Sequence, residues 1–145
     1  MKGPGIPFVP PLILIAGFGI GLGLDQLYPT PLKPLAWLLI GFGLLLSLWA
    51  VATLLLAKTP IMPGKAPTQL VVKGPYRFSR NPLYLGLAIA YLGLALWLAS
   101  PFALVMLPVT LYMLWLLVIR SEEKYLAEKF GQQYQDYKAR VRRWY

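Results

Sequence analysis

The chain has 145 residues, 58% of them hydrophobic and 13% charged, with a mean hydropathy of +0.61; soluble domains carry about 45–50% apolar and about 25% charged residues. It contains neither His nor Cys, which removes disulfides, Cys/His zinc sites, haem ligation by His, a Cys nucleophile and a His general base. The net charge of +9 comes from 14 basic and 5 acidic residues, and its meaning depends on where they sit.

The length fits a single domain, residues 1–145. Four segments approach the ~20 apolar residues that cross a ~30 Å hydrocarbon core. The first covers about 8–27 and is interrupted only by Asp25 near its end. With one charge, Lys2, and four prolines by Pro11, the opening segment does not read as a removable signal peptide. The second, about 35–57, contains nothing more polar than Ser47 and Thr53. From Leu83 to Ile119 there is no charge at all, a stretch of about 55 Å as one helix, too long for one span. Ser100-Pro101 is the natural turn, because proline disfavours helix in the residue before it. Two short spans, 83–99 and 102–119, therefore form a helical hairpin. The expected fold class is an all-α integral membrane protein with four transmembrane helices and a C-terminal amphipathic cytoplasmic helix.

Lys58, Lys65, Lys73, Arg77 and Arg80 follow span two, and Arg120, Lys124, Lys129, Lys138, Arg140, Arg142 and Arg143 follow span four. The connection between spans one and two offers only Lys33. Positive loops stay cytoplasmic, so both termini are expected inside, in a bacterial inner (plasma) membrane. Charges that flank spans find their counter-charge in anionic lipid headgroups, and nucleic acid is rejected as a partner.

Gly17, Gly19, Gly21 and Gly23 in span one, with Gly41 and Gly43 in span two, suggest close helix packing. They either join helices one and two or mediate a dimer, which leaves the oligomeric state open. A phosphate loop would need a strand before it and a helix after it. Asp25, near the non-cytoplasmic end of its span, can reach interfacial water and needs no functional role.

The loop 58–82 is long for a connection in so small a protein. It carries five basic residues and no acid, and Pro60, Pro63, Pro67, Pro75 and Pro82 prevent a continuous helix. Beyond it, Leu126, Phe130, Tyr134, Tyr137 and Val141 are spaced by four, four, three and four, one face of a helix over about 121–141 lying in the membrane interface. Glu122 and Glu123 fall where span four emerges, and a helix's first turn favours acids.

Two motifs now stand in order across the hairpin: Arg77-x-x-Arg80-Asn81-Pro82-x-Tyr84-x-Gly86, then Glu122-Glu123-x-x-Leu126-x-x-x-Phe130-Gly131-x-x-Tyr134-x-x-Tyr137. Together they resemble the isoprenylcysteine carboxyl methyltransferase family, which is related to the membrane phospholipid N-methyltransferases. The resemblance covers roughly the C-terminal half, from Lys58 onward. It implies an integral membrane enzyme that uses S-adenosyl-L-methionine to methylate a lipophilic acceptor, with carboxyl O-methylation of an isoprenylcysteine-like substrate as the first reading. The alternatives are a phospholipid amine N-methyltransferase, or a non-enzymatic four-span membrane protein or transporter. Relatives often carry His where this chain has Asn81, a His-Leu pair where it has Gln69-Leu70, and a proline after the valine where it has Arg142.

Methyl transfer from a sulfonium asks mainly for positioning and exclusion of water. The resemblance implies cofactor contacts from Gln69, Leu70, Tyr76, Arg77, Arg80, Asn81, Pro82, Tyr84, Gly86, Glu122 and Glu123, and a catalytic group of Arg120, Glu122 and Glu123. Arg77, Arg80 or Arg120 can fork a carboxylate, the glutamates can accept from ammonium or ribose, Tyr84 and Tyr91 offer aromatic surface, and Gly86 permits close backbone approach. Arg120 is free for a substrate carboxylate, and no metal is expected. The pocket is expected on the cytoplasmic side, roofed by the loop and the C-terminal helix, with lipid entering sideways and one glutamate facing solvent.

Overall fold

A computed structural model describes residues 10–23, 33–62 and 65–144. Asp25 and Pro63 lie outside the described residues. Among the described residues the chain is all-α, with no strand. Helix α1 spans Pro10–Gly23, α2 Lys33–Leu56, α3 Pro82–Trp97, α4 Pro101–Leu114 and α5 Arg120–Arg140; a single 3₁₀ turn, Gly74–Arg77, lies within the long loop.

The apolar runs become helices because they hold no competing charges and, in hydrocarbon, a helix satisfies the backbone even across glycines and Pro108; prolines mark where three of them begin. Pro82 and Pro101 sit in the first turns of α3 and α4, where the missing N–H costs nothing. Ser100 caps α4, its Oγ accepting from the Ala103 N–H at 3.0 Å. The connection between α3 and α4 is only Leu98–Ser100, and Ala99 turns it with φ of 51°.

Helix α3 nevertheless packs chiefly on α2, and α4 packs chiefly on α1. Two chain-adjacent helices thus find their main partners elsewhere, because the small-residue faces decide the pairing. Gly43, Gly86 and Gly93 bring α2 and α3 together so closely that a Cβ at Gly43 would lie 2.5 Å from the Ala90 nitrogen and the Gly86 oxygen. Ser47 closes this seam, donating to the Gly43 carbonyl at 2.9 Å and the Leu83 carbonyl at 3.3 Å. Of the glycines whose surroundings are described, Gly17 meets Thr110 of α4 and Gly43 meets α3, so neither joins helices one and two.

Helix α2, and the continuous helix from Pro101 to Arg140, are long and apolar enough to cross a membrane; α3 and the described part of α1 are shorter apolar helices. The outer face of α2 exposes Trp37, Leu38, Phe42, Leu45, Leu48 and Leu56, a surface suited to hydrocarbon and costly in water.

The C-terminal helix differs from expectation in a way that matters for the site. Helices α4 and α5 are not separate elements, for the five-residue π turn Trp115–Ile119 joins them without a break. Glu122 and Glu123 therefore lie inside a continuous helix rather than at a free N-terminus, so helix-end stabilisation does not account for them. The apolar part of this helix ends at Ile119, and Arg120–Arg140 is polar. Gly131, at φ 48° and ψ −123°, bends α5 through backbone geometry closed to other residues. After Arg140 the chain runs extended, and Trp144 packs back against the cluster of Tyr84, Leu114, Val118 and Ile119.

Candidate functional site

The loop after α2 is tied to itself before it is tied to anything else. Thr59 and Thr68 share a hydroxyl–hydroxyl bond at 2.8 Å, Thr68 Oγ1 donates to the Lys58 carbonyl at 3.0 Å, and the Gln69 amide donates to the Ala57 carbonyl. Polar residues of α5 then fasten it from the other side. Lys129 Nζ donates to the Pro67 carbonyl, and Tyr137 Oη donates to the Tyr76 carbonyl at 2.7 Å. Burial raises the hydroxyls of Tyr76 and Tyr137 well above the ordinary tyrosine range, so both remain neutral.

Between loop and helix lies a cleft with a cavity volume of about 140 Å³. Leu54, Ile61, Leu70, Val71, Leu83 and Leu126 contribute to its apolar wall; Thr59, Lys65, Gln69, Tyr76, Arg80, Asn81, Tyr84, Glu122, Glu123, Tyr125, Tyr134 and Tyr137 form its polar side. Both glutamates line it, and neither faces solvent. Tyr84 Oη donates to Glu122 at 3.1 and 3.2 Å. Glu123 lies between two guanidiniums, with Arg80 Nη1 at 3.0 Å and Arg143 at 2.8–2.9 Å through Nε and Nη2. Enclosure pushes the Glu122 carboxyl up to about 7, against the lowering effect of the Tyr84 hydroxyl; the Glu123 charge raises it further. Among the described residues neither the buried Arg80 Nε nor the buried Tyr125 hydroxyl has a hydrogen-bond partner.

Of the residues singled out from the sequence, the structure brings Gln69, Leu70, Tyr76, Arg80, Asn81, Tyr84, Glu122 and Glu123 to this cleft. Four others lie elsewhere. Arg77 and Arg120 are exposed and do not line it, since the 3₁₀ turn and the helical phase carry both outward. Pro82 is buried at the start of α3. Gly86 faces α2, where a Cβ would meet Ser47 and the Gly43 oxygen; its lack of a side chain admits a helix rather than a ligand. Tyr91 also sits apart, edge-on to Phe18 with its hydroxyl on the Ala103 carbonyl. Asn81 lines the cleft, but its amide donates to the Arg143 carbonyl at 3.2 Å, so its side chain serves the tail.

Sequence reasoning missed Arg143. It is one of three arginines in the last six residues, and no periodicity marks the extended return that carries it to Glu123. Tyr125 was missed because it lies off the stripe that begins at Leu126. Tyr134 and Tyr137 carried the signal of the motif and the stripe, although neither was expected at the site itself.

Among the described residues the chain is all-helical, with two helices long and apolar enough to cross a membrane and a polar cleft beside them. The family model described as phospholipid methyltransferase matches residues 33–133, and the chain belongs to that family. Over 72 residues, half of this chain, it is 42% identical to the protein-S-isoprenylcysteine O-methyltransferase of Saccharomyces cerevisiae, of which the match spans 30%. An uncharacterized protein of Haemophilus influenzae is 37% identical over 62 residues, 43% of this chain and 98% of that protein. No solved structure matches it significantly.

Proposed function

We propose that the chain is an S-adenosyl-L-methionine-dependent methyltransferase of the membrane, acting on a lipophilic acceptor, with carboxyl O-methylation of an isoprenylcysteine-like substrate as its reaction. The observation that carries this reading is the cleft itself: among the described residues, a buried guanidinium whose Nε has no partner, a carboxylate held by a tyrosine hydroxyl, and a second tyrosine hydroxyl without a partner, all beside an apolar wall. Such a set fits the cofactor's chemistry. Arg80 would hold its carboxylate, Glu122 would accept from its ammonium or ribose, and Tyr76 and Tyr125 would border its rings. The cofactor supplies an activated methyl group; the protein has to bind, orient and keep water out.

A carboxylate acceptor arrives ionised and needs no general base, in accord with a chain that lacks His and Cys. The likeness to the yeast enzyme favours this acceptor over others. Because the family model is named for phospholipids, an amine headgroup is the second reading. The chain would cross the membrane four times, with α1 and α3 as short spans and both termini cytoplasmic. Lipid would enter the apolar side of the cleft from the bilayer while the polar cofactor enters from the cytoplasm.

The test is incubation of the purified protein with radiolabelled S-adenosylmethionine and either a prenylated cysteine analogue or phosphatidylethanolamine. A base-labile ester on the first is expected. A base-stable product on the second alone would move the assignment to N-methylation, and no transfer to either would remove both readings.

A further inference from the structure

The Glu123 carboxylate serves two guanidiniums unequally. Arg143 grips it as a fork, Nε on Oε1 at 2.9 Å and Nη2 on Oε2 at 2.8 Å. Arg80 reaches only Oε1, through Nη1 at 3.0 Å, and its Nη1 also lies 3.4 Å from the Tyr134 hydroxyl. One negative charge cannot neutralise two positive ones, so positive charge is left over in the cluster. Arg80 is both the less well paired and the more enclosed of the two: its side chain is 8% exposed against 34% for Arg143, and its Nε has no acceptor among the described residues. An enclosed guanidinium edge without a partner is costly unless an anion completes it.

Arg143 is what keeps that edge unused. A fork is the preferred pairing of guanidinium and carboxylate, and Arg143 makes it with Glu123, leaving Arg80 a single contact at Oε1. Without that fork Glu123 would be free to pair with Arg80 through a fork of its own, and the free Arg80 edge would be lost. The backbone fixes the arrangement from both sides, with the Arg80 N–H donating to the Arg142 carbonyl at 3.0 Å. The Arg143 carbonyl accepts from Ser79 Oγ at 3.0 Å and from Asn81 Nδ2 at 3.2 Å. The Arg143 guanidinium also stands 6.0 Å from the Trp115 ring centre, which holds it over the π turn.

We infer that Arg143 is a positioning residue which, by occupying Glu123, keeps one edge of Arg80 available for the carboxylate of an S-adenosyl ligand. This rests on the reading that the cleft takes such a ligand. Replacing the Arg143 side chain leaves its carbonyl, and so the tail's backbone anchorage, in place.

Calorimetry in detergent with two thioethers separates the possibilities: S-adenosylhomocysteine carries the carboxylate, and 5′-methylthioadenosine lacks it. Arg143→Ala is expected to weaken S-adenosylhomocysteine by about tenfold or more while methylthioadenosine stays within about twofold. Arg143→Lys, which donates without a fork, is expected to fall between, and it carries the test if the alanine variant does not fold. Adding Glu123→Gln to Arg143→Ala is expected to recover S-adenosylhomocysteine affinity, because Arg80 is no longer drawn onto a carboxylate. Equal loss of both ligands with a lowered thermal midpoint would mark a merely structural role and overturn the inference. Unchanged affinity for both would overturn it as well. A wild-type protein that binds neither thioether would instead remove the cofactor reading, and this inference with it.

Discussion

Between α2 and α3 the contact is made by what is missing: Gly43, Gly86 and Gly93 let two backbones approach to distances that a methyl group would forbid. In the cap formed by the loop, α5 and the tail, contact is made by what is present, namely tyrosine hydroxyls, a lysine, two arginines and two glutamates. The difference follows from solvent. Hydrocarbon rewards close van der Waals packing and gives no hydrophobic gain for burying one apolar chain against another. The cap sits where water competes for every polar group, so enclosure has to be completed by paired donors and acceptors. The first region holds a shape, the polar groups that could bind a ligand lie in the second, and substitutions in the two regions should fail in different ways.

The largest effect is expected in the scaffold. Gly86→Val drives a side chain into Ser47 and the backbone of α2, and overpacking of this kind costs about 1–3 kcal/mol or more. Loss of the monodisperse peak on detergent gel filtration is the expected outcome. Gly41→Ala, where a Cβ meets nothing within 4 Å, should fold as wild type. If both behave alike, the close approach of the two helices is not what the glycines provide.

Next come losses of binding without loss of fold. Removing Arg80 or the Glu122 charge, by Arg80→Ala or Glu122→Gln, should cost about tenfold or more in S-adenosylmethionine affinity, the scale of a charge-assisted hydrogen bond. Thermal midpoints should move little by comparison. A smaller effect concerns pH. With the Glu122 carboxyl at about 7, its ionised, accepting form grows between about pH 6 and about pH 8, so affinity should rise across that range. Glu122→Gln should flatten the rise. Tyr84→Phe should move the midpoint upward, because the tyrosine hydroxyl favours the charged form. Stability runs the other way: the folded state holds this proton more tightly than the unfolded chain does. The contribution is full below about 4.5 and lost as pH rises through about 7. The smallest effect is expected at exposed Arg120, where Arg120→Ala should leave cofactor affinity within about twofold by the same titration.

The apolar runs were legible because hydrocarbon leaves only a helix to satisfy the backbone: span 35–57 became α2 at Lys33–Leu56, and Ser100-Pro101 marked the start of α4. Arg80, Asn81 and Tyr84 could be read as a group because they sit at one helix start. The orientation of Glu122 and Glu123 could not be read. A π turn adds a residue ahead of them and shifts the helix face by about 100°, and nothing in the apolar stretch Trp115–Ile119 announces it. Gly86 was read as room for a ligand, since spacing cannot say whose backbone approaches a glycine. Arg143 acts through a segment with no period, and its partner is 20 positions away.

The central question is whether the cap holds the cofactor through its buried charges. Titration of S-adenosylmethionine into the detergent-solubilised protein by calorimetry answers this. Saturable binding to one site, weakened by Arg80→Ala and Glu122→Gln but unaffected by Arg120→Ala, is the result expected. No heat of binding at concentrations well above cellular levels, or binding indifferent to all three substitutions, would contradict it.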